Sequence, residues 1–177
     1  QTDSDGYFSI ELESGIYTIT FTKNWYVPHI IQDQSCFSSL TLDNITLSSS
    51  DGIYISGSLS GTLESGNYYI FGDILVPSGS SLIIDPGAVF YFNGYYSFDI
   101  DGYIYAVATE ADSIKFISGT SPWGGIDFND SASDESILKY CLISGAQTPG
   151  NNDDWNADHG GGIHIYNSSP TITYCTI

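Results

Sequence analysis

The chain has 177 residues carrying 21 acidic side chains against three lysines and no arginine, a formal net charge of −18. Such a surface repels phosphate backbones and anionic headgroups, which excludes nucleic acid and membrane surfaces as natural partners. What remains for the acidity is solubility, tolerance of high ionic strength, or attraction of divalent cations.

Aromatic residues make up 15% of the chain, Gly is abundant, and short alternating segments recur from end to end. No stretch combines helix formers with a helical apolar period, so the reading is all-β. No apolar run reaches the length of a membrane-spanning helix. The start at Gln1 without Met is what a mature or trimmed product would show, and an extracellular or cell-surface location is expected from it. The three cysteines, Cys36, Cys141 and Cys175, cannot all pair within one molecule. Three Asn-x-Ser/Thr sequences, at Asn44, Asn129 and Asn167, matter only in a glycosylating host.

Residues 1–50 read as a first domain. Asp3-Ser4-Asp5-Gly6 leads into a strand from Tyr7 to Leu12, the turn Ser14-Gly15 follows, and a second strand runs from Ile16 to Phe21, predicting an antiparallel hairpin with one buried face. A further strand is expected between Ser39 and Leu47. Asp3 and Asp5 lack the rest of a calcium loop's acidic ladder and read as an ordinary Asp-Gly turn. Asp-Gly-Tyr-Phe-Ser-Ile, Ser-Gly-Ile-Tyr-Thr-Ile-Thr-Phe and Trp25-Tyr26 together resemble the second half of a carboxypeptidase-regulatory-like (prealbumin-like) β-sandwich. That resemblance implies a stalk, spacer or binding role without catalytic residues. The strands that usually precede the Asp-Gly turn are missing, which truncation, dispensability or strand addition from a neighbour would explain.

Residues 51–71, with Ile53-Tyr54-Ile55 and Tyr68-Tyr69-Ile70, read as lead-in or cap strands. From 72 to 177, short strands are separated by corners such as Pro77-Ser78-Gly79 and Asp85-Pro86-Gly87. One phrase occurs twice: Gly124-Gly125-Ile126-Asp127-Phe128 with Tyr140-Cys141, then Gly161-Gly162-Ile163-His164-Ile165 with Tyr174-Cys175. Repetition of this kind predicts stacked equivalent coils, about four of them. Ile74, Ile100 and Ile126 recur at even spacing, and the longer step to Ile163 leaves 147–160 as an extruded loop. Ser121-Pro122-Trp123-Gly124-Gly125-Ile126 and Asn167-Ser168-Ser169-Pro170-Thr171-Ile172 are similar to phrases of right-handed parallel β-helix repeat proteins. The resulting fold class is all-β, a right-handed parallel β-helix (solenoid) with a small N-terminal antiparallel β-sandwich-like domain. Stacking places Cys141 beside Cys175, and same-direction Cβ atoms favour two stacked thiols over a bridge.

The resemblance also implies polysaccharide lyases and hydrolases. With arginine absent, and Lys115 and Lys139 in strand patterns, a lyase base is not in evidence. Asp153-Asp154 with His159-Gly160 faintly resemble a polygalacturonase-type site, but they share one loop and read as a solvated acidic segment. The same loop offers Asp153, Asp154, Asn156 and Asp158 as hard oxygen ligands that could hold calcium, and Trp155 as a glycan-stacking ring. No cofactor is required, and His164, alternating with Ile163 and Ile165, is expected to point outward.

The functional expectation is a non-catalytic extracellular structural or adhesive surface protein, self-assembling head-to-tail into filaments by strand complementation and solenoid stacking. The partners are then further copies or neighbouring domains of a longer chain. The alternative is a carbohydrate-active module, a glycan-binding surface or a fragment of a polysaccharide-degrading enzyme. Acids clustered on successive coils would favour the alternative, and the sequence does not show such a cluster.

Overall fold

The computed structural model describes residues 8–23, 26–147 and 161–177. Within them the fold is all-β, with no helix. The first strands, β1 (Gly15–Phe21) and β2 (His29–Cys36), pair antiparallel with each other alone. This corrects the expected hairpin: Ile16–Phe21 takes its partner from downstream, and Phe8–Leu12 forms no strand. Phe8 still packs its ring edge-on to Phe21, centroids 5.5 Å apart. Nor does Ser39–Leu47 form a strand. Its Ser, Thr, Asp and Asn side chains compete for backbone groups, which weakens strand pairing.

From β3 (Ile53–Ser58) onward every named pairing is parallel. The later strands are β4 (Gly61–Leu63), β5 (Asn67–Val76), β6 (Ser81–Ile84), β7 (Val89–Phe92), β8 (Ser97–Ile100), β9 (Tyr103–Val107) and β10 (Ile114–Ser118). They continue with β11 (Gly125–Phe128), β12 (Ile137–Lys139), β13 (Cys141–Ser144), β14 (Ile163–Ile165) and β15 (Thr171–Thr173). Strand β5 bends across a corner: Asn67–Ile70 pairs with β7, and Ile74–Val76 pairs with β8. The sheets therefore curl, and the strands stack on three faces, β3-β5-β7-β10-β13, β5-β8-β11-β14 and β4-β6-β9-β12-β15. This is a solenoid-like arrangement. On its first face Ile53–Ile55 pairs with Tyr68–Ile70, which in turn lies directly beneath β7.

Sequence dictates the curl through its corners. At Pro77-Ser78-Gly79 the Ser80 amide donates to the Pro77 carbonyl at 2.9 Å, with Gly79 in the left-handed region that an L side chain resists. Between corners the period-2 alternation sends one side chain in and the next out, as in the buried Phe98 and Ile100 flanking Asp99.

The inward columns fuse into one apolar core. On the first face Tyr68, Phe90 and Phe116 stack at 5.1 and 4.9 Å, with Phe98 edge-on from the second face. Trp123 closes a corner, its ring 3.9 Å from Phe92 and its Nε1 donating to the Ser144 carbonyl at 3.0 Å. Among the described residues Ser136 alone is a fully buried polar side chain, and its Oγ accepts the Ile104 amide at 3.2 Å. That bond satisfies a backbone donor which the adjacent strand does not reach.

Candidate functional site

Outward-facing positions on the second face form a column, Leu75, Asp99, Asp127 and His164, each the direct cross-strand partner of the next. Parallel neighbours lie roughly 4.8 Å apart, so successive coils set two carboxylates and an imidazole side by side. The expectation that no acids meet on successive coils is thus corrected. The register also differs from the evenly spaced one: Ile74 and Ile126 are both aligned with Phe98, not with Ile100.

The column is ordered by polar contacts. Ser97 Oγ donates to Asp99 Oδ2 at 2.7 Å, and the Ser97 amide donates to Asp73 Oδ1 at 3.0 Å. His164 Nδ1 lies 3.2 Å from Asp127 Oδ1, both side chains about a quarter exposed (23% and 28%). His164 does face outward, as its alternation with Ile163 and Ile165 predicts. At the corner below, Asn129 Nδ2 donates to Asp101 Oδ1 at 2.8 Å, which engages the amide of one glycosylation sequence.

Burial raises the Asp99 carboxyl above its ordinary range, and the charges of Asp127, Asp73 and Asp101 push the same way against the Ser97 hydrogen bond. Because the folded state holds this proton more tightly than the unfolded chain, Asp99 contributes stability below the unfolded carboxylate value, and that contribution is lost as pH rises through the folded value. Asp99→Asn is therefore expected to stabilise the protein at pH 7, by about 1 kcal/mol or less after solvent screening. The difference in melting temperature between variant and parent should shrink on moving to pH 4. An equal difference at both pH values would contradict a raised Asp99.

Chemically, the column sets a carboxyl whose proton affinity burial raises beside a second carboxyl group that faces an imidazole, side-chain types that serve in acid and base catalysis. An open cleft of about 270 Å³ lies elsewhere, lined by Thr22, Lys23, Tyr54, Ser56 and Phe71 among others, and includes none of these acids. The carboxylates have the better claim to chemistry, because the lining of the cleft includes no carboxyl or imidazole group.

Other predicted residues are placed as follows. Cys36, Cys141 and Cys175 are free thiols. Cys141 and Cys175 are neighbours, the Cys141 amide donating to Cys175 Sγ at 3.4 Å, and burial drives the Cys141 thiol far above its ordinary value. Preceding them, Tyr140 and Tyr174 occupy left-handed backbone at φ 52 and 55, with rings stacked at 4.9 Å. The repeated Tyr-Cys phrase is therefore one corner built twice. Asp153, Asp154, Asn156, Asp158 and Trp155 lie outside the described residues, as do Asp3, Asp5 and His159. Among the described residues no group of three or more His, Cys, Asp or Glu is arranged to hold a metal ion. No described helix is long and apolar enough to cross a membrane.

Comparison with protein-family models, curated proteins and solved structures found no match. The class rests on the strand pairing alone: an all-β protein of curled parallel sheets, solenoid-like, with an acidic column on one outer face.

Proposed function

We propose that the chain is a non-catalytic structural or adhesive module of an extracellular or cell-surface protein, built as a right-handed parallel β-helix. The observation that carries this reading is the unbroken apolar core, which joins coil to coil through directly paired residues and contains one fully buried polar side chain among those described. Stacked coils of this kind transmit rigidity along an axis while leaving outward columns free for contact. Association with further copies or adjoining domains is supported by the β1–β2 region, where Phe8, Ile10, Ile16, Ile30, Phe37 and Leu40 are exposed.

A second reading, a carbohydrate-active enzyme, is favoured by the adjacency of Asp99 and Asp127 with His164 on the next coil. Incubation with neutral and acidic polysaccharides, followed by assay of new reducing ends and unsaturated products, separates the two. The structural reading predicts no products from the parent protein. Turnover abolished by Asp99→Asn or Asp127→Asn would replace it with the enzymatic one. The calcium proposal for Asp153, Asp154, Asn156 and Asp158 stands apart from both readings, and a melting temperature unmoved by EDTA in calcium-loaded protein would remove it.

A further inference from the structure

Tyr54, Tyr69 and Tyr91 are direct cross-strand partners on the outward side of β3, β5 and β7. Tyr54 and Tyr69 stack with centroids 5.0 Å apart and planes at 29°, and Tyr69 and Tyr91 at 5.2 Å and 22°. All three are half-buried, so part of each ring meets solvent, and the row of tyrosines ends at Ile117 on β10. The Tyr69 hydroxyl donates to Asp51 Oδ1 at 3.0 Å, which places a proton acceptor directly on the central phenol. A second outward stack, Tyr140 on Tyr174 at 4.9 Å, differs in its surroundings, because Lys139 Nζ sits 5.7 Å from both ring centroids. An ammonium over a ring favours its electron-rich state and opposes removal of an electron.

We propose that the Tyr54-Tyr69-Tyr91 row is an oxidative modification site, where a one-electron oxidant of the haem-peroxidase class, supplied with hydrogen peroxide, joins Tyr69 to a neighbouring tyrosine as dityrosine. The product is a covalent staple between adjacent coils, and the inference does not depend on the adhesive reading. Each of the two phenols gives one electron to the oxidant and loses its proton, that of Tyr69 passing to Asp51 and that of its neighbour to water. The two phenoxyl radicals then form one carbon–carbon bond between ortho carbons. Loss of the two ortho hydrogens as protons, with the phenolic O–H bonds re-formed, restores both aromatic rings. In balance, two C–H bonds break, one C–C bond forms, and two electrons and two protons reduce one hydrogen peroxide to two waters. Coupling requires the rings to meet while both are radicals, and the stack holds them in contact beforehand. Tyr54 and Tyr91 are two strands apart, roughly 9.6 Å, so every coupling within the row includes Tyr69.

The test is treatment of the dilute full chain with a haem peroxidase and hydrogen peroxide, read by dityrosine fluorescence and by mass spectrometry of the digested monomer. The expected product is a monomer lighter by two hydrogens, with Tyr69 cross-linked to Tyr54 or Tyr91. Tyr69→Phe keeps the stacked ring but removes the phenol, and should lower the yield within the monomer by about tenfold or more, since the remaining phenols are held apart. Tyr54→Phe should leave the Tyr69–Tyr91 product, and Tyr91→Phe the Tyr54–Tyr69 product. Asp51→Asn should slow formation severalfold, and an unchanged rate there overturns the role of Asp51 as proton acceptor. An undiminished yield in Tyr69→Phe, coupling of Tyr140 with Tyr174 in preference, or cross-links confined to dimers through exposed rings such as Tyr95 and Tyr166 overturns the site.

Discussion

Trp123→Ala is expected to lower the free energy of unfolding by about 3–5 kcal/mol, the cost of emptying a large aromatic site in a packed core. Three interactions converge on that ring. It is fully buried, it stacks 3.9 Å from Phe92, and its Nε1 satisfies the Ser144 carbonyl. Its backbone is tied as well: the Trp123 amide donates to the Gly145 carbonyl at 3.3 Å, and its carbonyl accepts the Gln147 amide at 2.8 Å. Truncation thus opens a cavity against Phe92 and orphans a carbonyl. Trp123→Phe separates these effects. It refills much of the volume but leaves Ser144 O without its donor, for an expected loss of about 1–3 kcal/mol. Urea unfolding monitored by circular dichroism reads both. A loss below about 1 kcal/mol for the alanine variant would mean that Trp123 is a surface residue rather than a keystone.

Gly102→Ala should cost about 2–3 kcal/mol for a different reason, overpacking. Gly102 lies at the corner between β8 and β9, and a Cβ there would run into the carbonyl oxygens of Pro77 and Ser80 in the coil beneath. Both obstacles are backbone and cannot rotate aside. The Gly102 amide donates to the Val76 carbonyl at 3.0 Å, so the strain would be relieved only by lengthening a bond between coils. Gly66→Ala is the matched control, since a Cβ there meets nothing within 4 Å. It should be neutral or slightly stabilising through the unfolded chain. Equal effects at the two glycines would show that the coils are not in the contact described.

Much of the architecture is legible in the sequence because stacking repeats the same local chemistry. The Gly-Gly-Ile and Tyr-Cys phrases recur because one corner is built twice, and the alternation around Asp99 and Asp127 marks them as outward-facing. Register is less legible. Side chains in a strand alternate with period 2, so sliding one coil by two residues keeps every apolar residue inside and changes only which outward residues meet. Even spacing of Ile74, Ile100 and Ile126 therefore suggested a column that the structure replaces with Ile74, Phe98, Ile126 and Ile163. What decides between the two is corner geometry. Asp101 and Gly102 both donate to the Val76 carbonyl, and Gly124 donates to the Tyr96 carbonyl, pinning β8 and β11 in phase. Hydrophobic pattern carries no trace of those bonds. Which acid stands beside Asp127 depends on that register, since the other one would place Asp101 there instead of Asp99.

The N-terminal region fails differently. Phe8–Leu12 alternates as well as Ile16–Phe21, so pattern pointed to a pairing between these neighbours, yet His29–Cys36 takes the place beside β1 through a longer connection. The tyrosine column was in plain sight as residues but not as a stack, because Tyr54, Tyr69 and Tyr91 meet only once β3, β5 and β7 are aligned.

The coil-to-coil pairing and the enzymatic reading both depend on which outward residues are neighbours, so cross-strand nuclear Overhauser effects in isotope-labelled protein test the account most directly. Backbone cross-peaks linking Asp99 with Asp127, and Asp127 with His164, are the predicted result. Cross-peaks linking Asp101 with Asp127 would contradict it, break the Asp99–Asp127 pairing, and return the coils to the register that even spacing suggests.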